Sequence, residues 1–215
     1  MMQRIAVIDY GMGNLRSVSK AIEHVADDAE VVVSADASVI ESADRVVCPG
    51  QGAAADCMAA LHSSGLAQTV IDIAGTRPFL GICMGYQVLL TASDENDGVQ
   101  CLDIIPGHVV RFADPLMDAG ARLKVPHMGW NEVRQARPHA LWRKIEDCAR
   151  FYFAHSYFCV PDQSSVVTGR CHYGLEIAVS IAAPNLFACQ FHPEKSARDG
   201  LQLLRNFSRW DGQDR

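Results

Sequence analysis

One segment of the sequence has the residue types of a sharp turn that exposes a nucleophilic side chain. An apolar run at residues 78–80 leads into Gly81-Ile82-Cys83-Met84-Gly85, where glycines on both sides of a cysteine allow strained backbone angles. A helix is predicted to follow over residues 87–92. Backbone N–H groups and the dipole at the start of that helix would favour a thiolate and bind an oxyanion. The pattern therefore predicts nucleophilic catalysis by Cys83.

A nucleophilic cysteine needs a nearby base that a third group orients. Among the eight histidines, His192 ends an apolar run and is followed two residues later by Glu194. Residues two apart in an extended chain point to the same side, so the Glu194 carboxylate is predicted to orient the His192 imidazole. His127 and His155 remain alternatives, because each lies in a Pro/Gly or aromatic context that suits a base or a structural residue. Three others are predicted to be surface residues on helices: His24, His62 and His139.

The elements around these residues are those of a parallel α/β sheet, in which sites form beyond the carboxyl ends of the strands. The loop Pro49-Gly50-Gln51-Gly52 lies at one such end, and the Cys83 turn lies at another. The loop would either present N–H groups to an oxyanion or only turn into the next helix. Continuous apolar runs predict buried strands at 4–9, 30–33, 45–48 and 78–80, and helical spacing predicts helices between them at 15–25, 53–61 and 66–74.

The pattern changes from residue 102 onward, where short apolar runs are broken by Pro and Gly. These runs predict antiparallel or irregular strands beside the main sheet, at 104–105, 109–112, 124–133, 151–158, 165–168, 177–181 and 186–191. A short helix is predicted around residues 139–145 and an amphipathic one at 200–210. The predicted fold class is α/β, with a mostly parallel central sheet flanked by helices and a smaller antiparallel β portion, in a single domain over residues 1–215.

Charge and composition exclude several classes of function. The net charge is −6 and Lys/Arg runs do not exceed a pair, so a nucleic-acid partner is not expected. The sequence predicts neither a signal peptide nor a membrane span, and a soluble cytoplasmic protein is expected.

Metal and cofactor sites are not expected either. The eight cysteines are scattered without a pattern and are predicted to be reduced thiols, and Cys189-Gln190-Phe191-His192 has no second pair of metal ligands. Gly11-Met12-Gly13 lacks the third glycine of a dinucleotide-binding fingerprint, since Arg16 stands in its place, and favours a tight turn.

Together, the segment 81–87 and Phe191-His192-Pro193-Glu194 resemble the class I (triad-type) glutamine amidotransferases. The resemblance implies a flavodoxin-like fold and a Cys83–His192–Glu194 triad that hydrolyses glutamine to glutamate and ammonia through a thioester. Within this group, three segments resemble the glutaminase subunits of imidazole glycerol phosphate synthases, and the similarity spans essentially the whole chain. They are Asp9-Tyr10-Gly11-Met12-Gly13-Asn14-Leu15, Pro126-His127-Met128-Gly129-Trp130-Asn131 and His192-Pro193-Glu194-Lys195-Ser196.

The resemblance also implies roles around the triad. The oxyanion would be held by the N–H of Met84 and by one from Gly50, Gln51 or Gly52, in a loop that turns a peptide before the hole is complete. Gln51 stands where the most familiar form of this loop has a valine, a change that keeps the backbone role. Residues matching those that bind or line the substrate glutamine are Gln87, Glu95, His155, Ser156 and Tyr157.

A partner is implied as well: a separate (β/α)8 cyclase subunit, which would form a heterodimer with this chain. The cyclase would use the ammonia to make imidazole glycerol phosphate and an aminoimidazole carboxamide ribonucleotide in histidine biosynthesis. Residues expected to face it are Tyr10, Gly11, Met12, Gly13, Asn14, Met128, Gly129, Trp130 and Asn131, although Trp130 could instead pack in the core.

Other functions remain open from the sequence. A stand-alone cysteine hydrolase of the same fold would need no partner, and another class I amidotransferase subunit would serve a different one. A silent binding subunit would keep only the fold, but the intact Cys83, His192 and Glu194 argue against it.

Overall fold

A mixed β-sheet forms the centre of the structure, a computed structural model that describes residues 2–213. The strands are β1 Gln3–Ile8, β2 Ala29–Ser34, β3 Arg45–Gly50, β4 Phe79–Cys83, β5 Leu90–Ser93, β6 Val99–Gln100, β7 Ile105–Arg111, β8 Leu116–Asp118, β9 Ala121–Leu123, β10 His127–Gln135, β11 Ala149–His155, β12 Tyr157–Pro161, β13 Val167–His172, β14 Glu176–Ala183 and β15 Leu186–Cys189.

Six α-helices accompany the strands within the described residues. They are α1 Leu15–Val25, α2 Ala37–Ser42, α3 Ala54–Ser63, α4 Leu66–Ala74, α5 Met84–Gln87 and α6 Ala197–Arg209. Short 3₁₀ turns cover Glu95–Asp97, Ala140–Trp142, Ser164–Val166 and Pro193–Lys195. Within residues 2–213, no helix combines the length and the hydropathy needed to cross a membrane.

The sheet is parallel at its centre and antiparallel at one side. Neighbouring strands β2-β1-β3-β4-β15 run parallel, and β14, β12 and β7 continue the sheet with antiparallel pairing. Strands β10, β11 and β13 branch from β14, while β8 and β9 form a separate hairpin. The predicted fold class is therefore confirmed. Because β3, β4 and β15 are adjacent, their carboxyl ends bring Gly50, Cys83 and His192 to one edge.

The inner parallel strands β3, β4 and β15 are buried along their whole lengths and β1 is buried over residues 5–8, as their continuous apolar runs predict, whereas the edge strand β2 is partly exposed. Alternate residues of β1 enter different clusters, with Ala6 and Ile8 in one and Ile5 and Val7 in the other. The first cluster is completed by α3 and α4, and the second by α1 and α6. The Asn14 side chain begins α1 by accepting the Ser17 N–H at 3.3 Å. The two helical layers hold the strand ends rigidly at the edge that carries Cys83.

The predicted helix over residues 87–92 is wrong. Helix α5 ends at Gln87, and the following apolar residues form β5, which pairs with β7 and β6. The Leu102 N–H donates to the Val88 carbonyl oxygen and the Ile105 N–H to that of Leu89, both at 2.9 Å. These tertiary hydrogen bonds replace the helical ones, so Cys83 precedes only about one helical turn. Free N–H groups at the turn, rather than a long helix dipole, remain available to an anion.

Two further predictions need correction. The predicted strand over residues 151–158 is divided into β11 and β12 at Ser156. The predicted helix around 139–145 is a 3₁₀ turn, and His139 at its start is 5% exposed, packed against Phe187 and Trp210 rather than at the surface.

Candidate active site

Cys83 occupies the sharp turn that the glycine pattern predicts. It ends β4 with φ 56° and ψ −108°, and such angles cost a non-glycine residue roughly 1–3 kcal/mol. Side chains do not fit beside it, because a Cβ at Gly85 would collide with the Cys48 carbonyl oxygen and one at Gly81 would lie 2.6 Å from the Gly85 carbonyl oxygen. Close packing of β3 against the turn therefore holds the strained backbone, and Cys83 is 5% exposed.

His192 and Glu194 meet just beyond β15, beside Cys83. His192 Nδ1 lies 2.9 Å from Glu194 Oε1, and the two side chains are 7% and 1% exposed. The two side chains meet across the 3₁₀ turn Pro193–Lys195. The pairing is as predicted, but the extended chain from which it was predicted is replaced by this turn. Ser196 ties this turn to β11, since its Oγ donates to the His192 carbonyl oxygen at 2.6 Å and accepts the Tyr152 N–H at 2.9 Å.

The surroundings of His192 favour its protonated form. Burial lowers the pKa of this imidazole, but hydrogen bonds with Cys83 and Glu194 and the negative charges of both outweigh burial and raise the pKa to about 9. Near neutral pH the proton therefore rests on His192, where it can be given to a leaving group.

The loop after β3 packs directly against the Cys83 turn. Gly50 pairs with Cys83 across the two strands, and a Cβ at Gly50 would lie 2.7 Å from Met84 Cβ. Beneath the loop, the Tyr10 hydroxyl donates to the Pro49 carbonyl oxygen at 2.9 Å. Tyr10 is 4% exposed, so its side chain supports the loop and does not lie on the surface expected to face a partner.

A cavity of about 310 Å³ lies beside the nucleophile. Its walls come from distant parts of the chain: Gln51, Gly52, Cys83, Met84, Gln87, Glu95, Pro126, Met128, Ala154, His155, Ser156, Tyr157, His192 and Lys195. The five residues expected to bind or line the substrate are all among them. Glu95 Oε2 also accepts the Ala54 N–H at 2.7 Å, so this carboxylate is held at the start of α3. The 3₁₀ turn Glu95–Asp97 therefore contributes a residue to the cavity.

The alternative bases His127 and His155 hydrogen-bond to each other. His127 Nδ1 lies 3.0 Å from His155 Nε2. Burial lowers the pKa of His127 to about 4 and that of His155 to about 3, so both rings are neutral at pH 7. Of these three histidines, His192 is the one that pairs with a carboxylate, at 2.9 Å, and its pKa is raised by interaction with Cys83 and Glu194.

Comparison with known proteins decides the family. A family model described as glutamine amidotransferase class-I matches residues 6–209. The imidazole glycerol phosphate synthase subunit HisH of Dechloromonas aromatica is 58% identical over 97% of each chain. Subunit HisH 1 of Pseudomonas aeruginosa is 56% identical over 99% of each chain. The chain belongs to the HisH family of class-I glutamine amidotransferases.

Solved structures with low sequence identity share the fold of this HisH family member. A glutamine amidotransferase from Thermotoga maritima matches with a TM-score of 0.57 at 17% identity, covering 93% of this chain and 79% of that one. PurLQS from Thermotoga maritima matches with a TM-score of 0.71 at 16% identity, covering 96% and 98%. The expected amidotransferase fold is thus confirmed.

Gln190 is a site residue that the sequence reasoning missed. Its Nε2 lies 3.8 Å from Cys83 Sγ, and its Oε1 accepts Gln87 Nε2 at 2.9 Å. Gln190 is 1% exposed. The strand alternation that was applied to His192 would have found it, since residues 190 and 192 share a face.

The surface expected to contact a partner in this HisH family member is partly apolar. Met128 is 65% exposed and Trp130 is 44% exposed, so Trp130 is not a core residue. Met12 and Gly13 pack against the loop after β3: a Cβ at Gly52 would lie 3.1 Å from Met12 Cε, and one at Gly13 would lie 3.4 Å from the backbone of Gly50. The loop between β1 and α1, which contains Met12 and Gly13, is therefore in contact with the loop of Gly50, Gln51 and Gly52 beside Cys83.

Proposed function

We propose that this chain hydrolyses glutamine to glutamate and ammonia and passes the ammonia to a separate (β/α)8 cyclase subunit. The observation that carries the proposal is the buried His192–Glu194 pair, joined at 2.9 Å, in the same cavity as Cys83 on its strained turn, in a chain of the HisH family. The cyclase uses the ammonia to make imidazole glycerol phosphate and an aminoimidazole carboxamide ribonucleotide in histidine biosynthesis. The two proteins act as a heterodimer in the cytoplasm.

In the first half of the reaction, the Cys83 thiolate attacks the side-chain carboxamide carbon of glutamine. The new C–S bond places a negative charge on the carboxamide oxygen, which accepts hydrogen bonds from the Met84 N–H and from the loop of Gly50, Gln51 and Gly52. The intermediate then collapses, the C–N bond breaks, and the His192 imidazolium protonates the leaving nitrogen. The products are ammonia and a glutamyl thioester on the cysteine.

In the second half, neutral His192 removes a proton from water. The hydroxide attacks the thioester carbon, the C–S bond breaks, and glutamate leaves with the thiolate and the imidazolium restored. Glu194, 2.9 Å from His192 Nδ1, holds the ring so that Nε2 carries out both proton transfers.

Polar groups of the cavity bind the ends of glutamine. Gln87 Oε1 is buried and has no hydrogen-bond partner within residues 2–213, which leaves an acceptor for a substrate N–H group. Glu95 supplies a negative charge for the α-ammonium group. The segment of His155, Ser156 and Tyr157 lines the side of the α-carboxylate and amine.

Docking of the cyclase on the surface of Met128 and Trp130 would both bury exposed apolar area and cover the cavity, since Met128 also lines it. Gly11, Gly129, Asn14 and Asn131 belong to the same two segments. Because Met12 and Gly13 contact the loop beside Cys83, a partner there could reach the oxyanion-binding groups.

Glutamate release, measured with and without the cyclase and its nucleotide ligand, tests this proposal. We expect low turnover of the isolated chain, a rise with the cyclase, and none for Cys83→Ala at any cyclase concentration. Full activity of Cys83→Ala would refute the thioester mechanism. High activity that a cyclase does not change would refute the pairing with a cyclase and favour a stand-alone hydrolase.

A further inference from the structure

A chain of hydrogen bonds begins on β10 and runs through two buried imidazoles. Asn131 Nδ2 lies 3.3 Å from His127 Nε2, and His127 Nδ1 lies 3.0 Å from His155 Nε2. His155 Nδ1 lies 2.8 Å from the carbonyl oxygen of Tyr157. The chain therefore crosses from the strand with the exposed apolar surface to the backbone of Tyr157, a residue that lines the cavity.

The same carbonyl oxygen connects the imidazoles to the nucleophile. Gln87 Nε2 donates to the Tyr157 carbonyl oxygen at 3.2 Å and to Gln190 Oε1 at 2.9 Å. Gln190 Nε2 is then turned toward Cys83 Sγ, 3.8 Å away. With both N–H groups of Gln87 used in this way, its Oε1 is the atom left for a ligand.

Backbone groups at the two ends fix the direction of the chain. The Tyr157 carbonyl can only accept, so His155 Nδ1 carries a hydrogen and its Nε2 accepts from His127 Nδ1. His127 Nε2 must then accept from Asn131 Nδ2. The amide of Asn131 is oriented independently, because Nδ2 also donates to the His172 carbonyl oxygen at 3.0 Å. Both rings are thus neutral Nδ1–H tautomers.

Packing keeps the rings in place and uncharged. The His127 ring stacks between those of Phe153 and Tyr173, with centroid distances of 4.7 and 3.9 Å. Burial holds the pKa of both imidazoles far below neutrality. If His155 were protonated, its Nε2 would carry a hydrogen and could not accept from His127 Nδ1. The neutral state of His155 therefore preserves the hydrogen bond between the two rings.

We propose that His127 and His155 are positioning residues that hold Gln87 in the orientation a bound glutamine requires. They act through the Tyr157 carbonyl, and they connect the active site to the strand that carries the surface assigned to the cyclase. In this respect the inference rests on the proposed function. It also gives His155 a different role from direct substrate binding, because both of its ring nitrogens are already engaged.

Two substitutions break the chain without removing a group that touches glutamine. His127→Phe keeps an aromatic ring between Phe153 and Tyr173 and removes both hydrogen bonds. Asn131→Asp keeps the shape of the side chain but replaces the donor by an acceptor, so His127 should change to the Nε2–H tautomer. His24→Phe, on an exposed helical position, is the matched control.

The isolated full-length chain is treated with two reagents that alkylate Cys83. A chloroketone analogue of glutamine must first occupy the glutamine site, whereas iodoacetamide needs only the thiol. We expect the rate with the analogue to fall by about fivefold or more in both variants, the factor for one neutral hydrogen bond. The iodoacetamide rate should stay within about twofold of the unchanged protein and of His24→Phe.

Nitrogen-15 NMR of the imidazoles measures directly which ring nitrogen of His127 and of His155 carries the hydrogen. We expect Nδ1–H tautomers for His127 and His155, and a change to Nε2–H at His127 in Asn131→Asp. An unchanged analogue rate in both variants would overturn the proposal. If His127→Phe loses reactivity with both reagents, Asn131→Asp decides: an unchanged tautomer or an unchanged analogue rate overturns it. None of these measurements uses the cyclase, so failure of cyclase stimulation would refute the proposed function separately.

Discussion

Replacement of Glu194 by Gln isolates the charge in the triad. Glu194→Gln keeps the size of the side chain and an acceptor for His192 Nδ1, but it removes a negative charge that lies 2.9 Å away in a buried setting. An opposite charge at this distance changes a pKa by about 1–3 units. We therefore expect the pKa of His192, about 9 in the unchanged protein, to fall to about 7.5 in the variant.

The assay is the pH dependence of kcat/KM for glutamine at saturating cyclase, because this constant reports the free enzyme. In the proposed mechanism the His192 imidazolium protonates the leaving amide nitrogen, so kcat/KM should fall as pH rises through its pKa. The midpoint of the alkaline decline should move from about 9 to about 7.5. The ratio of the variant's kcat/KM to that of the unchanged protein should therefore be about eightfold lower at pH 8.5 than at pH 6.

Stability gives a second readout of the same substitution. The pKa of His192 is raised above its ordinary value of 6.5, so the proton stabilises the folded protein fully below about pH 6.5, and this contribution is lost as pH rises through about 9. A shift of about 1.5 units due to Glu194 corresponds to about 2 kcal/mol. The Tm deficit of Glu194→Gln should therefore shrink between pH 6 and pH 9.5. Equal alkaline midpoints in both proteins would refute this reasoning.

Three substitutions probe the rest of the site. In rapid-quench assays, His192→Asn should slow thioester formation by about 10²–10⁴-fold and exposed His24→Asn should not slow it; equal effects would refute the role of His192 in proton transfer. Gly50→Ala forces a Cβ into the Cys83 turn and should cost about 1–3 kcal/mol in denaturant unfolding, with loss of glutaminase activity. Gly75→Ala, with no atom within 4 Å of the new Cβ, should do neither. Trp130→Ala should weaken cyclase binding by about 2 kcal/mol in calorimetry and leave iodoacetamide alkylation unchanged; an unchanged affinity would place the interface elsewhere.

Local patterns were enough to predict the parallel half of the fold. Strands β1, β3 and β4 are continuous apolar runs whose alternate residues enter two cores, and β1 and β3 are each followed by a helix with one buried face. The glycines around Cys83 predicted a turn because each lies where a Cβ would strike backbone. In both cases the signal is contained within a few neighbouring residues.

Contacts between distant residues were not predictable in the same way. Residues 88–92 are apolar enough for a helix or a strand, and pairing with residues far along the chain decides for β5. The contact of His127 with His155 depends on the register of β10 against β11, which the sequence does not state. Tyr10 looked like a surface residue in a glycine loop, but the Pro49 carbonyl draws its hydroxyl inward.

Two separate routes connect one face of the molecule to Cys83. Met12 and Gly13 contact the loop that would bind the oxyanion, which carries charge only after attack. The chain from Asn131 reaches Gln87, which would contact glutamine before attack as well as after it. An interaction formed only in the transition state raises kcat, whereas one formed equally in the ground state lowers KM. A partner that moved the loop alone would therefore change kcat, one that ordered the chain alone would change KM, and the position of Met128 at the mouth of the cavity allows one docked surface to reach both.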